Sequence, residues 1–252
     1  MSAAPRFHCA TELSSGAHIE LPPGAARHVQ VLRLQPGASI TLFGGPAGSS
    51  QGGEFIATVT AMGRQSVRVL VGKHTPVERE SGRSLYLAVG IPANERMDWL
   101  VEKATELGVA VIQPLMTERS VVRLDAQRGL KKLAHWQSIT VAACEQCGRN
   151  RLPALNPPMT LTEWLRQHTT DAGMPKRSGL VLSLAEGSTG LRHWSTQNAG
   201  HSGEIRLLCG PEGGLSAAEE KVALGAGLEP VSLGARVLRS ETAALAALTL
   251  LA

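Results

Sequence analysis

The chain has 252 residues, a formal net charge of +4 and 43% hydrophobic residues. That is enough for one large domain or two unequal ones, and too apolar for global disorder. No apolar run is long enough to span a bilayer, and Met1 to Gly16 lacks the apolar core of a secretory signal. A soluble, cytoplasmic protein is the expectation.

Cys9, Cys144, Cys147 and Cys209 are too few and too scattered for a disulfide framework. Cys144 and Cys147 have a C-x-x-C spacing without a second ligand pair nearby, so idle thiols are expected and no metal is assigned. Residues 1–75 carry Arg6, Arg27, Arg33, Arg64, Arg68 and Lys73 against Glu12, Glu20 and Glu54. A basic segment beside a nearly neutral one suits a grip on a polyanion; a basic surface kept for solubility is the alternative.

In chain order, 39–43, 54–59 and 66–71 are short runs of β-formers punctuated by glycine pairs (Gly44-Gly45, Gly52-Gly53) and Gly63. A small compact barrel is their natural closed form. A polar stretch follows and reads as a linker. From Ser84 the pattern becomes alternating strand and helix. Residues 85–89 form a continuous apolar strand. Asn94 can cap the next helix, whose stripe is Met97, Leu100, Val101, Ala104 and Leu107, with Gly108 at its end. Residues 109–116 are a second strand, with Pro114 marking its end. A long helix spans 127–147, and buried-type strands span 180–184 and 205–209. Ser216 with Glu219 forms a capping box. A short strand at 231–233 and an Ala- and Leu-rich helix at 241–252 complete the chain. The alternation predicts an α/β fold with a mostly parallel sheet and helices on both faces.

Two segments carry the chemistry. Gly210-Pro211-Glu212-Gly213-Gly214 follows a strand and enters a helix, as does Leu233-Gly234-Ala235-Arg236-Val237-Leu238-Arg239. Glycines there let a ligand approach the main chain, and free N–H groups at a helix start can bind its polar atoms. The spacing is neither a dinucleotide fingerprint nor a P-loop. Arg236 and Arg239 suit an anionic partner or an anion formed during reaction. Alternatively they pair with Glu212 and Glu241 on the surface, a weakly stabilising arrangement. A third cluster, Glu145-Gln146-Cys147-Gly148-Arg149-Asn150-Arg151, suits RNA contacts, or else caps a helix through Gly148 and Arg149. Thr117-Glu118-Arg119-Ser120 is similar in kind.

Taken in order, five segments resemble the RsmE family of bacterial 16S rRNA uridine-N3 methyltransferases, within the SPOUT superfamily. They are the run from Asn94-Glu95-Arg96 to Leu107-Gly108-Val109, Glu118-Arg119-Ser120, Glu145 to Asn150, Leu208 to Gly214, and Leu233 to Ala243. His28, Val31, Leu32 and Arg33 look like that family's N-terminal element. The resemblance implies a C-terminal trefoil knot, a rare exception to unknotted topology, and a PUA-like N-terminal barrel. It divides the chain into an RNA-holding domain at 1–72, a linker at 73–83 and a methyltransferase domain at 84–252. It implies S-adenosylmethionine as cofactor, held by Leu182, Ser183, Gly210, Pro211, Gly213, Gly214, Leu233, Gly234, Val237 and Leu238. It also implies a homodimer acting on 16S rRNA within the small (30S) subunit, with free rRNA as the alternative substrate.

On that reading the catalytic candidates are Arg236 and Arg239, one of which stabilises a uridine oxyanion or orients the flanking phosphate, with Glu212 or Glu241 as proton acceptor or as an anchor for an arginine. The RNA-binding candidates are Arg6, His28, Arg33, Arg119, Arg149 and Asn150. A non-catalytic RNA-binding protein, another α/β transferase, and a sister enzyme acting on transfer RNA are the alternatives.

Overall fold

The computed structural model describes residues 4–44, 52–93, 95–170, 177–200 and 203–252. Asn94, expected to cap a helix, and the glycine- and serine-rich stretch 45–51 lie outside the described residues. The chain forms two compact units: Met1–Glu80 with Val141–Leu152, and Ser81–Thr140 with Pro153–Ala252.

The first unit is a mixed sheet with one helix. Its elements are β1 (Arg6–Cys9), β2 (His18–Glu20), α1 (Pro23–Val31), β3 (Ser39–Gly44), β4 (Glu54–Met62) and β5 (Val67–Thr75). The strands run β1-β3-β4-β5-β2 as a half-barrel, with β1 parallel to β3 and the other pairs antiparallel. Alternate residues turn inward, so Phe55, Ala57 and Val59 of β4 meet Val67, Val69 and Val71 of β5. β5 continues through Lys73, His74 and Thr75, into the polar stretch. Sequence patterning missed α1, which opens on Pro22-Pro23 and buries only Ala25, Ala26 and Val29. Its stripe is too short for periodicity to register, although proline in the first turn is a helix-start signal.

The second unit is a parallel sheet with helices on both faces. Its elements are β6 (Ser84–Gly90), α2 (Arg96–Glu106), β7 (Val111–Met116), α3 (Ala126–Cys147, continuing into the first unit), β8 (Ala154–Leu155), β9 (Met159–Thr160), α4 (Leu161–Thr170), β10 (Arg177–Leu182), β11 (Thr189–Gly190), α5 (Leu191–Gln197), β12 (Glu204–Cys209), α6 (Ala217–Gly225), β13 (Glu229–Ser232) and α7 (Ser240–Leu251). The order is β11-β13-β10-β12-β6-β7-β8, with β9 also on β7. One face packs Leu85, Leu87 and Val89 against Met97, Leu100 and Val101 of α2 and Ala244, Ala247 and Leu248 of α7. The other packs Ala88, Val181 and Leu208 against Trp164, Leu165 and Ala223 of α4 and α6. Burial on both faces explains why these strands read as unbroken apolar runs.

Pro114 does not end its strand. β7 continues to Met116, because β8 pairs at Val111 and Ile112 and β9 at Leu115 and Met116. The proline falls between the two ladders, where its missing N–H costs no pairing on that side.

Candidate active site

Three adjacent parallel strands, β13, β10 and β12, end on the same edge of the sheet. Ligands of open α/β sheets bind outside such carboxyl ends. β12 ends at Cys209 and the chain turns through Gly210 to Gly214 into α6. The turn closes with Gly214 N–H donating to Pro211 O at 2.8 Å. A Cβ on Gly210 would stand 2.7 Å from the backbone of both Gly214 and Leu215, and Gly214 sits at φ +68°. Only glycine meets the first constraint, and the second favours it. Ser216 caps α6 in the expected box with Glu219, and Glu118 N–H donates to the same Glu219 carboxylate at 2.7 Å.

The second turn leaves β13 through Leu233 and Gly234, the latter at φ +103°, and reaches Arg239 as the N-cap of α7. At the end of β10, Ser183 N–H donates to Val231 O at 2.9 Å, tying this strand end to β13. The Ser183 hydroxyl donates to Glu220.

These ends enclose a cavity of about 430 Å³, within the roughly 300–1,000 Å³ usual for small-molecule sites. Leu182, Ser183, Gly210, Pro211, Gly213, Gly214, Leu233, Gly234, Val237 and Leu238 all line it, as do Glu212 and Arg236. Arg239 and Glu241 do not. Arg239 is exposed; Glu241 is buried, its carboxylate accepting the Ser240 hydroxyl at 3.1 Å. Cys209 also lines the cavity, and burial pushes its thiol well above the usual cysteine range. It stays protonated and is no nucleophile.

Arg96, at the start of α2, was not among the sequence candidates, yet it engages both acids. Its Nη1 lies 3.4 Å from Glu212 Oε1 and its Nε 3.9 Å from Glu241 Oε1. Glu212 Oε1 also accepts Ala93 N–H at 2.8 Å. Arg236 and Arg239 have no ion-pair partner among the described residues, so the surface pairing open to them on sequence grounds is not what the fold makes. Arg119, grouped by sequence with RNA contacts, lines the cavity and donates from Nη1 to Gly213 O at 2.8 Å.

The remaining RNA candidates lie in the first unit, where they divide. Arg149 is 4% exposed and pairs with Glu80 at 2.6 Å. Asn150, also 4% exposed, accepts from Arg6 at 2.7 Å and donates to Val77 O at 2.6 Å. Arg6 pairs with Glu54 at 2.5 Å, and its guanidinium lies over the Phe43 ring. These three are joined inside the unit rather than presented to solvent. Gly148, at φ +88°, ends α3 as the capping alternative expects. His28 and Arg33 are exposed, His28 lying 3.2 Å from Glu145 Oε2. Arg33 holds φ +54°, the one non-glycine residue among those described in the left-handed region.

The RNA methyltransferase domain family matches residues 79–252. Ribosomal RNA small subunit methyltransferase E of Bacillus subtilis is 29% identical over 88% of this chain and 84% of its own length. A Legionella pneumophila protein solved with bound SAM superposes with a TM-score of 0.88 at 37% identity, covering 99% of this chain and 97% of that one. Ribosomal RNA small subunit methyltransferase E of Neisseria gonorrhoeae, solved with S-adenosyl methionine, gives 0.86 at 36%, covering 98% and 96%. With the glycine turns, the capped α6 and the parallel sheet of that domain all in place, the chain belongs to the RNA methyltransferase domain family, on the ribosomal RNA small subunit methyltransferase E branch.

Proposed function

We propose that this chain transfers a methyl group from S-adenosylmethionine to N3 of a uridine in 16S rRNA. The observation that carries the reading is the cavity floored by two glycine turns, with an unpaired arginine on its rim. The cavity suits a nucleoside cofactor. Positions Gly214 and Gly234 have open space where a Cβ would stand, so main chain is presented directly. Leu182, Ser183, Gly210 to Gly214 and Leu233 to Leu238 would hold it. When bound, the cofactor supplies a methyl group already activated on a sulfonium.

The chain's own task is alignment and charge. Uridine N3 is nucleophilic once its proton is lost, which leaves negative charge on the base. Arg236 and Arg239 are the cations to stabilise it. Of the two roles open to Glu212 and Glu241, the contacts with Arg96 favour anchoring over proton acceptance. The base must also leave its stack to present its Watson–Crick edge.

The division into an RNA-holding segment at 1–72, a linker at 73–83 and a methyltransferase domain at 84–252 belongs to this reading. Within the first, no Asp or Glu occurs from Leu21 to Gly53, which supports Arg33 and His28 as contacts to a polyanion. Threading of the last helix as a trefoil knot is supported by α7 packing among α2, α5, β6 and β12. Leu184 and Val237, 69% and 79% exposed at the cavity, support cover by a second copy in a homodimer. A cytoplasmic location goes with a ribosomal substrate.

The test is mass mapping of 16S rRNA from cells lacking the chain. One uridine methyl group is expected to disappear, and to return when the gene is restored. Tight S-adenosylmethionine binding with unchanged rRNA methylation would instead support the non-catalytic RNA-binding alternative.

A further inference from the structure

Arg96 stands where local electrostatics disfavours it. It is the first residue of α2, and helix N-termini favour acidic groups, the positive end of the dipole repelling cations. Its placement therefore calls for compensating partners. The stripe Met97, Leu100, Val101 and Ala104 is buried in the core shared with α7, so the rotation of α2 is set by packing. That rotation carries the Arg96 guanidinium between two carboxylates from different segments. Nη1 meets Glu212 in the first glycine turn, and Nε meets Glu241 in the first turn of α7.

Each carboxylate has one further tie. Glu212 accepts Ala93 N–H, in the loop between β6 and α2. Glu241 accepts the hydroxyl of Ser240, which lines the cavity. The opposing turns enclose the cavity.

We infer that Arg96 is a positioning residue: one guanidinium ties the first glycine turn, through Glu212, to the start of α7 directly after the second turn, through Glu241, and so sets the width of the cofactor cavity. The inference rests on the cofactor reading given above. A guanidinium suits the role because its separate nitrogens can serve two acceptors at once, whereas an ammonium is a single point. The clasp accounts for two acids beside the pocket without making either a base. It also leaves Arg236 and Arg239 free of them.

The test is calorimetric titration of the full chain with S-adenosylmethionine, for the native protein, Arg96→Gln, Arg96→Lys, Glu241→Gln and the double variant Arg96→Gln/Glu241→Gln. Arg96→Gln is expected to weaken binding by about three- to fivefold, the upper range for a partly exposed ion pair. Arg96→Lys recovers part of the loss. The double variant binds no more weakly than Arg96→Gln alone, since the clasp is already open. Urea unfolding of each variant at the titration temperature shows that the folded chain is being titrated. Native binding by Arg96→Gln, or losses that add in the double variant, would overturn the inference while leaving the cofactor reading intact. If the native chain takes no cofactor, that reading fails first. The clasp is then decided by the same cycle in unfolding midpoints, where additive shifts overturn it and non-additive shifts uphold it.

Discussion

Arg119 donates to the carbonyl of Gly213 at 2.8 Å, so a side chain from beyond the end of β7 props the glycine turn that follows β12. A Cβ on Gly213 would lie 3.1 Å from Arg119 Cβ, which shows how closely the two are packed. Truncating Arg119 to alanine removes both the hydrogen bond and the wall. Because Arg119 is exposed, the effect on folding should be small. The expected result is a weaker hold on S-adenosylmethionine by roughly three- to tenfold, in line with the about 0.5–1.5 kcal/mol of one ordinary hydrogen bond, measured by calorimetry. Unchanged affinity would move Arg119 back among the RNA candidates.

The glycines of the two turns are constrained for different reasons. Gly210→Ala forces a Cβ into backbone at 2.7 Å and should cost about 1–3 kcal/mol through overpacking. Gly234→Ala meets nothing within 4 Å but keeps φ +103°, a strain of roughly 1–3 kcal/mol. Urea denaturation should show both losses. Cofactor affinity should fall further for Gly210→Ala, whose turn must shift bodily.

Arg239 caps α7 by its backbone, with an exposed side chain that has no ion-pair partner among the described residues. Arg239→Ala is therefore expected to leave folding and cofactor affinity nearly unchanged. Methyl transfer should fall by about a hundredfold or more, the scale seen when a donor to a developing oxyanion is removed. Single-turnover transfer to small-subunit RNA, set beside cofactor titration, separates the two effects. Normal turnover would remove Arg239 from the mechanism.

Two arginines of the first unit should respond in opposite ways. Arg149 is buried against Glu80, and removing one partner of a buried pair costs roughly 3–5 kcal/mol. Arg149→Ala is thus expected to unfold at markedly lower urea. Arg33 is exposed and free of acid neighbours in sequence. Arg33→Ala should keep its midpoint and lose RNA affinity, with a shallower salt dependence.

Acid should loosen the first unit through Glu54. Burial works against its charge, but hydrogen bonds from Arg79 and Arg6 outweigh burial and hold its carboxyl below the usual 4.5. A depressed native value means that this stabilisation is complete above pH 4.5 and is lost as pH falls through the native value. Amides of β3, β4 and β5 should lose exchange protection relative to neutral pH in that window. In Glu54→Gln the pH dependence should flatten, with protection already lower at neutral pH.

Much was legible before folding because its causes are local. Ser216 and Glu219 lie three residues apart and cap the helix they precede. Met97, Leu100, Val101 and Ala104 repeat at helical spacing and are buried together. The glycines of both turns announce backbone that a side chain would obstruct. Short elements such as α1 carried too few turns for periodicity to show them, and Pro114 misled because its tolerance depends on which neighbours pair beside it.

The amino-acid order alone determined the strand-and-helix alternation, the two glycine turns and the family resemblance, since each is written in neighbouring residues. Only tertiary structure decided partners. It placed Arg96 between Glu212 and Glu241, brought Arg119 to the pocket wall, and turned Arg6, Arg149 and Asn150 inward. An ion pair depends on the distance between side chains far apart in sequence, and nothing but packing sets that distance.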